Sequence, residues 1–186
     1  MGALVKVFDD NIYKLRALQT NLGQRVFTSI IQPEVLYKCL RTADVAIGAI
    51  HTREGRTPLI VSEAIISQMK KGSVIIDVSI DQGGCFETSK PTSHSKPVFQ
   101  TYGITHYCVP NIASRVPHTA SYALSNVFAP ILLQLGYSGS LESYVRQEPG
   151  VRQGVYILNG ILTSKFIGNL YDIPYQDIEL LMAAFH

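Results

Sequence analysis

Two stretches, DVAIGAI at residues 44–50 and SVIIDVSI at 73–80, are apolar along most of their length rather than at alternate positions. A strand with one wet face alternates, whereas a strand that is apolar throughout must be covered on both faces. Segments with helical spacing lie between these runs. NIYKLRALQTNLG (11–23) sets Ile12, Leu15, Leu18 and Leu22 on one side, with Asn11 as N-cap and Gly23 as stop. PEVLYKCLRTA (33–43) opens a second helix on Pro33, and LIVSEAIISQMKKG (59–72) reads as a third, closed by Lys70, Lys71 and Gly72. Three shorter β-rich runs, ALVKVFDD (3–10), VFTSII (26–31) and GITHYCV (103–109), complete the alternation. Such alternation predicts an α/β fold with a parallel sheet. A loop rich in Gly, Ser, Thr and Pro is expected over 81–97.

In parallel sheets of this kind, ligands bind past the carboxyl ends of the strands. The residues that could do chemistry fall there: Asp9 and Asp10, Ile50 and His51, Asp81 and Gln82, and Asn111. This pattern points to a dinucleotide-binding sheet. Such a fold normally opens with a strand and a G-x-G-x-x-G turn at a helix N-terminus, where free N–H groups hold the pyrophosphate. An acidic residue for the adenosine ribose follows about 20 residues later. Asp9 suits that acid, yet too few residues precede it for the glycine turn. The expected architecture is therefore an incomplete Rossmann-type parallel sheet, lacking its first strand and glycine loop. VKVF and VAIGAI would border the gap, and their unpaired edges predict a chain that is part of a longer polypeptide.

The carboxy-terminal third reads differently. Residues 118–136 form one predicted helix, bent at Pro130. Residues 142–155 read as a polar passage, 156–171 as a mostly apolar helix and 172–185 as a last amphipathic one. The division expected is a partial nucleotide-binding domain over 1–117 and a set of connecting and terminal helices over 118–186. With a net charge of +2 over 186 residues, the chain offers no basic face for nucleic acid. No apolar run approaches the ~20 residues that cross a bilayer. Cys39, Cys85 and Cys108 have neither disulfide-framework nor zinc spacing, and no histidine pair suggests a metal, so a reduced, cytoplasmic protein is expected.

GALVKVFDDNIYKLRAL, ADVAIGAI, VIIDVSIDQGGCFETSKPT, HYCVPNIASRVPHTASYALSN and LTSKFIGNLYDIPY together resemble the alanine dehydrogenases, in family order across nearly the whole chain. The related nicotinamide nucleotide transhydrogenases usually carry a Glu-x-Gly-Gly-Asn type of loop, so Asp81-Gln82-Gly83-Gly84-Cys85 favours the dehydrogenases. The resemblance implies NAD-dependent oxidative deamination of L-alanine to pyruvate and ammonium, a substrate domain built from both chain ends, and a hexamer. It places Asp9 on the adenosine ribose with Lys14 nearby, and Ile50 and His51 on the adenine–ribose side. Val78, Ser79, Ile80 and Asp81 would pass the nicotinamide ribose, with Asp81 reaching the reacting centre as the catalytic acid. Lys90 stands where the family more often has Arg, and Val109, Pro110, Asn111 and Ile112 would flank the nicotinamide. Three departures stand out: the glycine loop, the amino-terminal substrate domain, and an apolar Ile30–Ile31 where the family often offers a serine. Other readings are the nucleotide-binding component of a transhydrogenase and a non-catalytic remnant that folds only with a partner. On the residues alone, Asp81 could equally be a turn acid satisfied by the Gly-Gly backbone, and Asp9 a helix-capping acid.

Overall fold

A computed structural model describes residues 2–23, 25–52 and 55–184. The polar loop at 53–54, the end of the last predicted helix at Phe185, and His186 lie outside the described residues. Two compact units divide the chain, Met1–Ile112 and Ala113–His186.

The first unit is α/β, as the alternation predicts. Strand β1 (Lys6–Phe8) leads into helix α1 (Ile12–Leu22), then β2 (Phe27–Ser29), α2 (Pro33–Leu40) and β3 (Val45–Gly48). A four-residue helix α3 (Glu63–Ile66), β4 (Val74–Asp77) and the hairpin β5 (Val98–Thr101) and β6 (Ile104–Tyr107) follow. The caps of α1 are those expected. Asn11 Oδ1 accepts the N–H groups of Tyr13 and Lys14, and Gly23 closes the helix at φ +62°.

The strands form two separate sheets. β1 and β2 pair in parallel, Val7 opposite Thr28. The larger sheet has the order β3-β4-β6-β5, with β3, β4 and β6 parallel and β5 antiparallel at its edge. No described strand pairs with the remaining edge of β1 or of β3. On β3, Val45 and Ile47 are exposed while Ala46 and Gly48 are buried, so within the first unit one face of this strand is uncovered, where the apolar run predicts cover on both faces. The core lies beneath this sheet: Leu36 and Leu40 of α2, Ile66 of α3, Ile75, Ile104, Met69 and Phe86 pack together, with Phe8, Ile31 and Ile50 against them.

Several local expectations are corrected. The helix predicted over 59–72 shrinks to Glu63–Ile66 because tertiary hydrogen bonds hold the preceding residues extended. Ile60 and Val61 donate to the Cys85 carbonyl, and Val61 accepts from Glu87. The strand predicted over 73–80 ends at Asp77, where the chain turns into a tight helical turn, Val78–Gln82. Strand β5 was not legible because it is short and lies past the predicted loop. The turn that joins it to β6 takes Tyr102 and Gly103 through positive φ.

The second unit opens with the long helix α4 (Pro117–Tyr137), which contains Pro130 and buries none of its residues within the unit. The predicted polar passage is helical: α5 (Leu141–Gln147) and α6 (Pro149–Arg152). The predicted apolar helix over 156–171 is half hairpin. Strands β7 (Ile157–Leu158) and β8 (Ile161–Leu162) pair antiparallel around Asn159-Gly160, at φ +50° and +80°. Asn-Gly is the preferred pair for a two-residue hairpin turn, and here it overrides the helical spacing of the flanking apolar residues. Only Lys165–Tyr171 forms a helix, α7, and the last one, α8, spans Ile178–Ala184. Val145, Leu158, Leu181 and Met182 make the small core of this unit. No helix among the described residues is long and apolar enough to cross a membrane.

Candidate functional site

The turn after β4 is organised by a residue the sequence reading passed over. Asp77, the last residue of the strand, is 1% exposed and sits at the end of an apolar run. Its Oδ1 accepts the Ser79 N–H at 3.0 Å. Its Oδ2 accepts the Cys85 N–H at 3.0 Å, the Phe86 N–H at 3.4 Å and the Ser89 hydroxyl at 2.6 Å. A buried carboxylate is tolerated when donors surround it in this way. The carboxylate thus pulls residues 85–89 back against the strand end and throws the chain into the Val78–Gln82 turn. An acid within VIIDVSI is the signal that a polar network lies there.

Gly84 lies inside that network. At φ +78°, a Cβ on Gly84 would stand 2.6 Å from Asp77 Oδ2. The glycine is therefore required by the acid it packs against, a reason different from the ligand approach its position in a Gly-Gly pair suggests. Burial, and next the charge of Asp77, push the Cys85 thiol up to about 12, so it is an inert, protonated packing group.

Asp81 is placed by the turn rather than by the strand. It is exposed, and its Oδ1 accepts the Asn111 backbone N–H at 2.9 Å across 30 positions of sequence. Oδ2 has no hydrogen-bond partner among the described residues. Asn111 itself adopts φ +53°, which directs its N–H toward the acid. Residues past β4 and past β6 thereby meet at one edge of the sheet. Of the neighbouring candidates, Ser79, Ile80 and Val109 are buried at 5%, 4% and 3% exposure, so their side chains are withdrawn from the surface. Val78 and Ile112 are exposed at 38% each, and Pro110 is half-buried.

The exit of β3 joins the same cluster through Gln82. Its side-chain amide accepts the Thr52 N–H at 3.3 Å and donates to the Thr52 carbonyl at 3.0 Å. Ile50 is half-buried against the core, whereas His51 is exposed. Lys90 is exposed, one residue beyond Ser89, and belongs to neither group of contacts.

Asp9 follows β1 in the other sheet and makes no contact with Asp81 or Gln82. Its Oδ1 accepts the Asn11 N–H at 2.8 Å, ahead of α1. Its Oδ2 is 3.9 Å from Lys14 Nζ, with the acid 29% and the lysine 69% exposed. An exposed pair at that distance contributes little to stability, and the helix is already capped by Asn11, so the carboxylate is accessible and is not consumed by capping.

A buried pair lies on β6 and the loop. His106 Nε2 is 2.8 Å from Thr88 Oγ1, and Nδ1 donates to the Ile104 carbonyl at 3.1 Å. The ring stacks on Phe99 at 4.8 Å between centroids. Burial holds the imidazole below the ordinary histidine range, and no described group of three or more His, Cys, Asp or Glu could hold a metal ion.

Parallel-dominated sheets with helical crossovers, with an accessible carboxylate just past a strand end in each, have the form of a dinucleotide-binding α/β domain. Residues 1–165 match the family described as "Alanine dehydrogenase/PNT, C-terminal domain". The chain belongs to this family, and membership implies a nicotinamide cofactor. It is 34% identical over 183 residues to alanine dehydrogenase of Mycolicibacterium smegmatis, covering 98% of this chain and 49% of the relative. It is 36% identical over 180 residues to alanine dehydrogenase 2 of Staphylococcus aureus, covering 96% and 48%. A solved L-alanine dehydrogenase superposes with a TM-score of 0.82 at 33% identity, over 93% of this chain and 48% of the other. A transhydrogenase from Sinorhizobium meliloti superposes with a TM-score of 0.63 at 20% identity, over 72% and 38%, a likeness of fold. The chain spans about half the length of the curated relatives it matches.

The geometry fits such a cofactor at two places. Asp9 and Asp81 each present a carboxylate held on one oxygen by a backbone N–H and accessible on the other side. That arrangement suits an acceptor for ribose hydroxyls or for an ordered water.

Proposed function

We propose that this chain supplies the nucleotide-binding half of an NAD-dependent alanine dehydrogenase, which converts L-alanine to pyruvate and ammonium and runs in reverse. The observation that carries the reading is the Asp81–Asn111 contact, which sets an accessible acid at the sheet edge between two strand exits. Similarity to alanine dehydrogenases along almost the whole chain supports the choice of substrate. The transhydrogenase alternative is supported by the shared family description and by a likeness of fold.

In this reading Asp9 accepts hydrogen bonds from the adenosine ribose, with Lys14 beside it, and Ile50 and His51 line the adenine–ribose side. The backbones of Val78, Ser79 and Ile80 pass the nicotinamide ribose, Lys90 adds positive charge, and Val109, Pro110, Asn111 and Ile112 flank the nicotinamide. When bound, NAD supplies the hydride acceptor. Asp81 orders the water that adds to the carbon losing its amino group, and Asn111 keeps the acid pointed there. Such a group acts mainly in the transition state. The assembly is a homo-oligomer, hexameric by family likeness. The three free cysteines suit the cytoplasm.

The test joins this chain to the amino-terminal half of the Mycolicibacterium smegmatis relative and follows NADH during alanine oxidation. Asp81→Asn is expected to lower kcat by at least about a hundredfold, leaving NAD affinity within about tenfold. Near-normal turnover in that variant refutes the assignment of Asp81.

A further inference from the structure

Past the end of β3, Thr52 and Thr57 are both held by a single residue, Gln82. At the first, the Gln82 side chain makes a paired hydrogen bond with Thr52, accepting its N–H at 3.3 Å and donating to its carbonyl at 3.0 Å. At the other, the Gln82 main-chain carbonyl accepts the Thr57 N–H at 2.9 Å. Thr57 is buried at 2% exposure, so this second tether is shielded from water. Gln82 also directly follows Asp81, in the same tight turn. The arrangement is unusual for a surface glutamine, because an amide with both donor and acceptor engaged on one backbone residue has no freedom to rotate.

Nothing in the fold's stability explains why this position is an amide. The turn is already formed by Asp77 and closed by the Gly83 and Gly84 N–H groups on the Ile80 and Ser79 carbonyls. The chain is already anchored at Thr57. What the side chain adds is a fixed distance between the His51–Thr52 backbone and the Asp81 turn.

We infer that Gln82 is a positioning residue: by clamping the Thr52 backbone it sets the His51–Thr52 strand exit and the Asp81 turn at one spacing, so that the two walls contact a dinucleotide together. This rests on the dehydrogenase reading above and extends it to a residue that touches neither substrate nor cofactor. A clamp formed in advance removes the cost of fixing that spacing when ligand arrives, and the saving appears as affinity.

Two variants test it, each made in this chain joined to the amino-terminal half used above. Gln82→Met keeps the volume and removes both bonds, while Gln82→Glu keeps an acceptor for the Thr52 N–H and sets a charge against the Thr52 carbonyl. Amide hydrogen exchange reads the clamp without any ligand. Thr52 should exchange about tenfold faster in Gln82→Met and stay protected in Gln82→Glu, with thermal unfolding nearly unchanged in both. Calorimetric titration with NAD reads the consequence, and affinity should fall about tenfold in both variants, since each loses at least one hydrogen bond of the pair. Unchanged Thr52 exchange in Gln82→Met overturns the clamp. Faster exchange with undiminished NAD affinity overturns the coupling. If the unsubstituted joined protein fails to bind NAD, the dehydrogenase reading falls instead, and exchange at Thr52 still decides whether the clamp exists.

Discussion

Replacing Asp77 by Asn is the most severe conservative change the first unit offers. The carboxylate accepts at both oxygens, and an amide has one oxygen to give. In its better orientation, the Asn oxygen takes the place of Oδ2 and keeps Cys85 N–H, Phe86 N–H and the Ser89 hydroxyl. The amide NH2 then faces the Ser79 N–H, 3.0 Å from the old Oδ1, and two donors oppose each other in a buried place. A buried donor without a partner costs about 1–3 kcal/mol. The three retained bonds lose the negative charge that strengthened them, about 0.5–1 kcal/mol each. The sum is about 2.5–6 kcal/mol, a large share of a domain's stability. The reverse orientation is worse, since three donors lose their acceptor. Urea denaturation of the purified chain, followed by circular dichroism, measures the change, with Asp81→Asn as the exposed control expected within about 0.5 kcal/mol of the parent. A loss below about 1 kcal/mol for Asp77→Asn refutes the claim that this acid organises the turn.

Two further outcomes follow from the other polar groups. In the joined full-length protein, Asp9→Ser should weaken NAD by roughly tenfold and relax discrimination against NADP, because a carboxylate accepts ribose hydroxyls and repels a 2′-phosphate. Asp10→Ser should do much less, and kcat/KM for both cofactors in the two variants separates them; a larger effect at Asp10 would place the discriminating acid one residue later. His106 makes stability depend on pH. Burial lowers its folded-state pKa below the unfolded value of about 6.5, so the unfolded chain binds more protons in that window. Stability should therefore fall as pH drops below about 6.5, and the slope should diminish in His106→Phe; equal slopes in chemical denaturation would show that the ring does not titrate between the two states.

The parts of this protein that local rules govern could be read directly from its residues. Helix α1 has its apolar stripe, its Asn11 cap and its Gly23 stop within one short window, and the structure contains all three. The parallel sheet was legible because strands apolar on both faces have no other stable place. Which face of β3 is covered was not legible, since Val45 and Ile47 are exposed while Ala46 and Gly48 are buried. Where two local signals competed, the sequence alone was ambiguous. The apolar spacing of 156–171 suits a helix, yet Asn159-Gly160 reverses the chain.

What tertiary structure decided were the meetings of residues distant in sequence. Whether Val78–Ile80 continue the strand depends on the donors that Asp77 finds at Ser79, Cys85, Phe86 and Ser89, most of them supplied by a returning loop. Asp81 reaches Asn111, and Gln82 reaches Thr52, each across 30 positions, because parallel strands bring their exits to one edge. Periodicity describes which face of an element is apolar and is silent on which exits become neighbours. That choice is made by strand order and by the buried carboxylate that bends the chain, and neither leaves a mark within a window of a dozen residues.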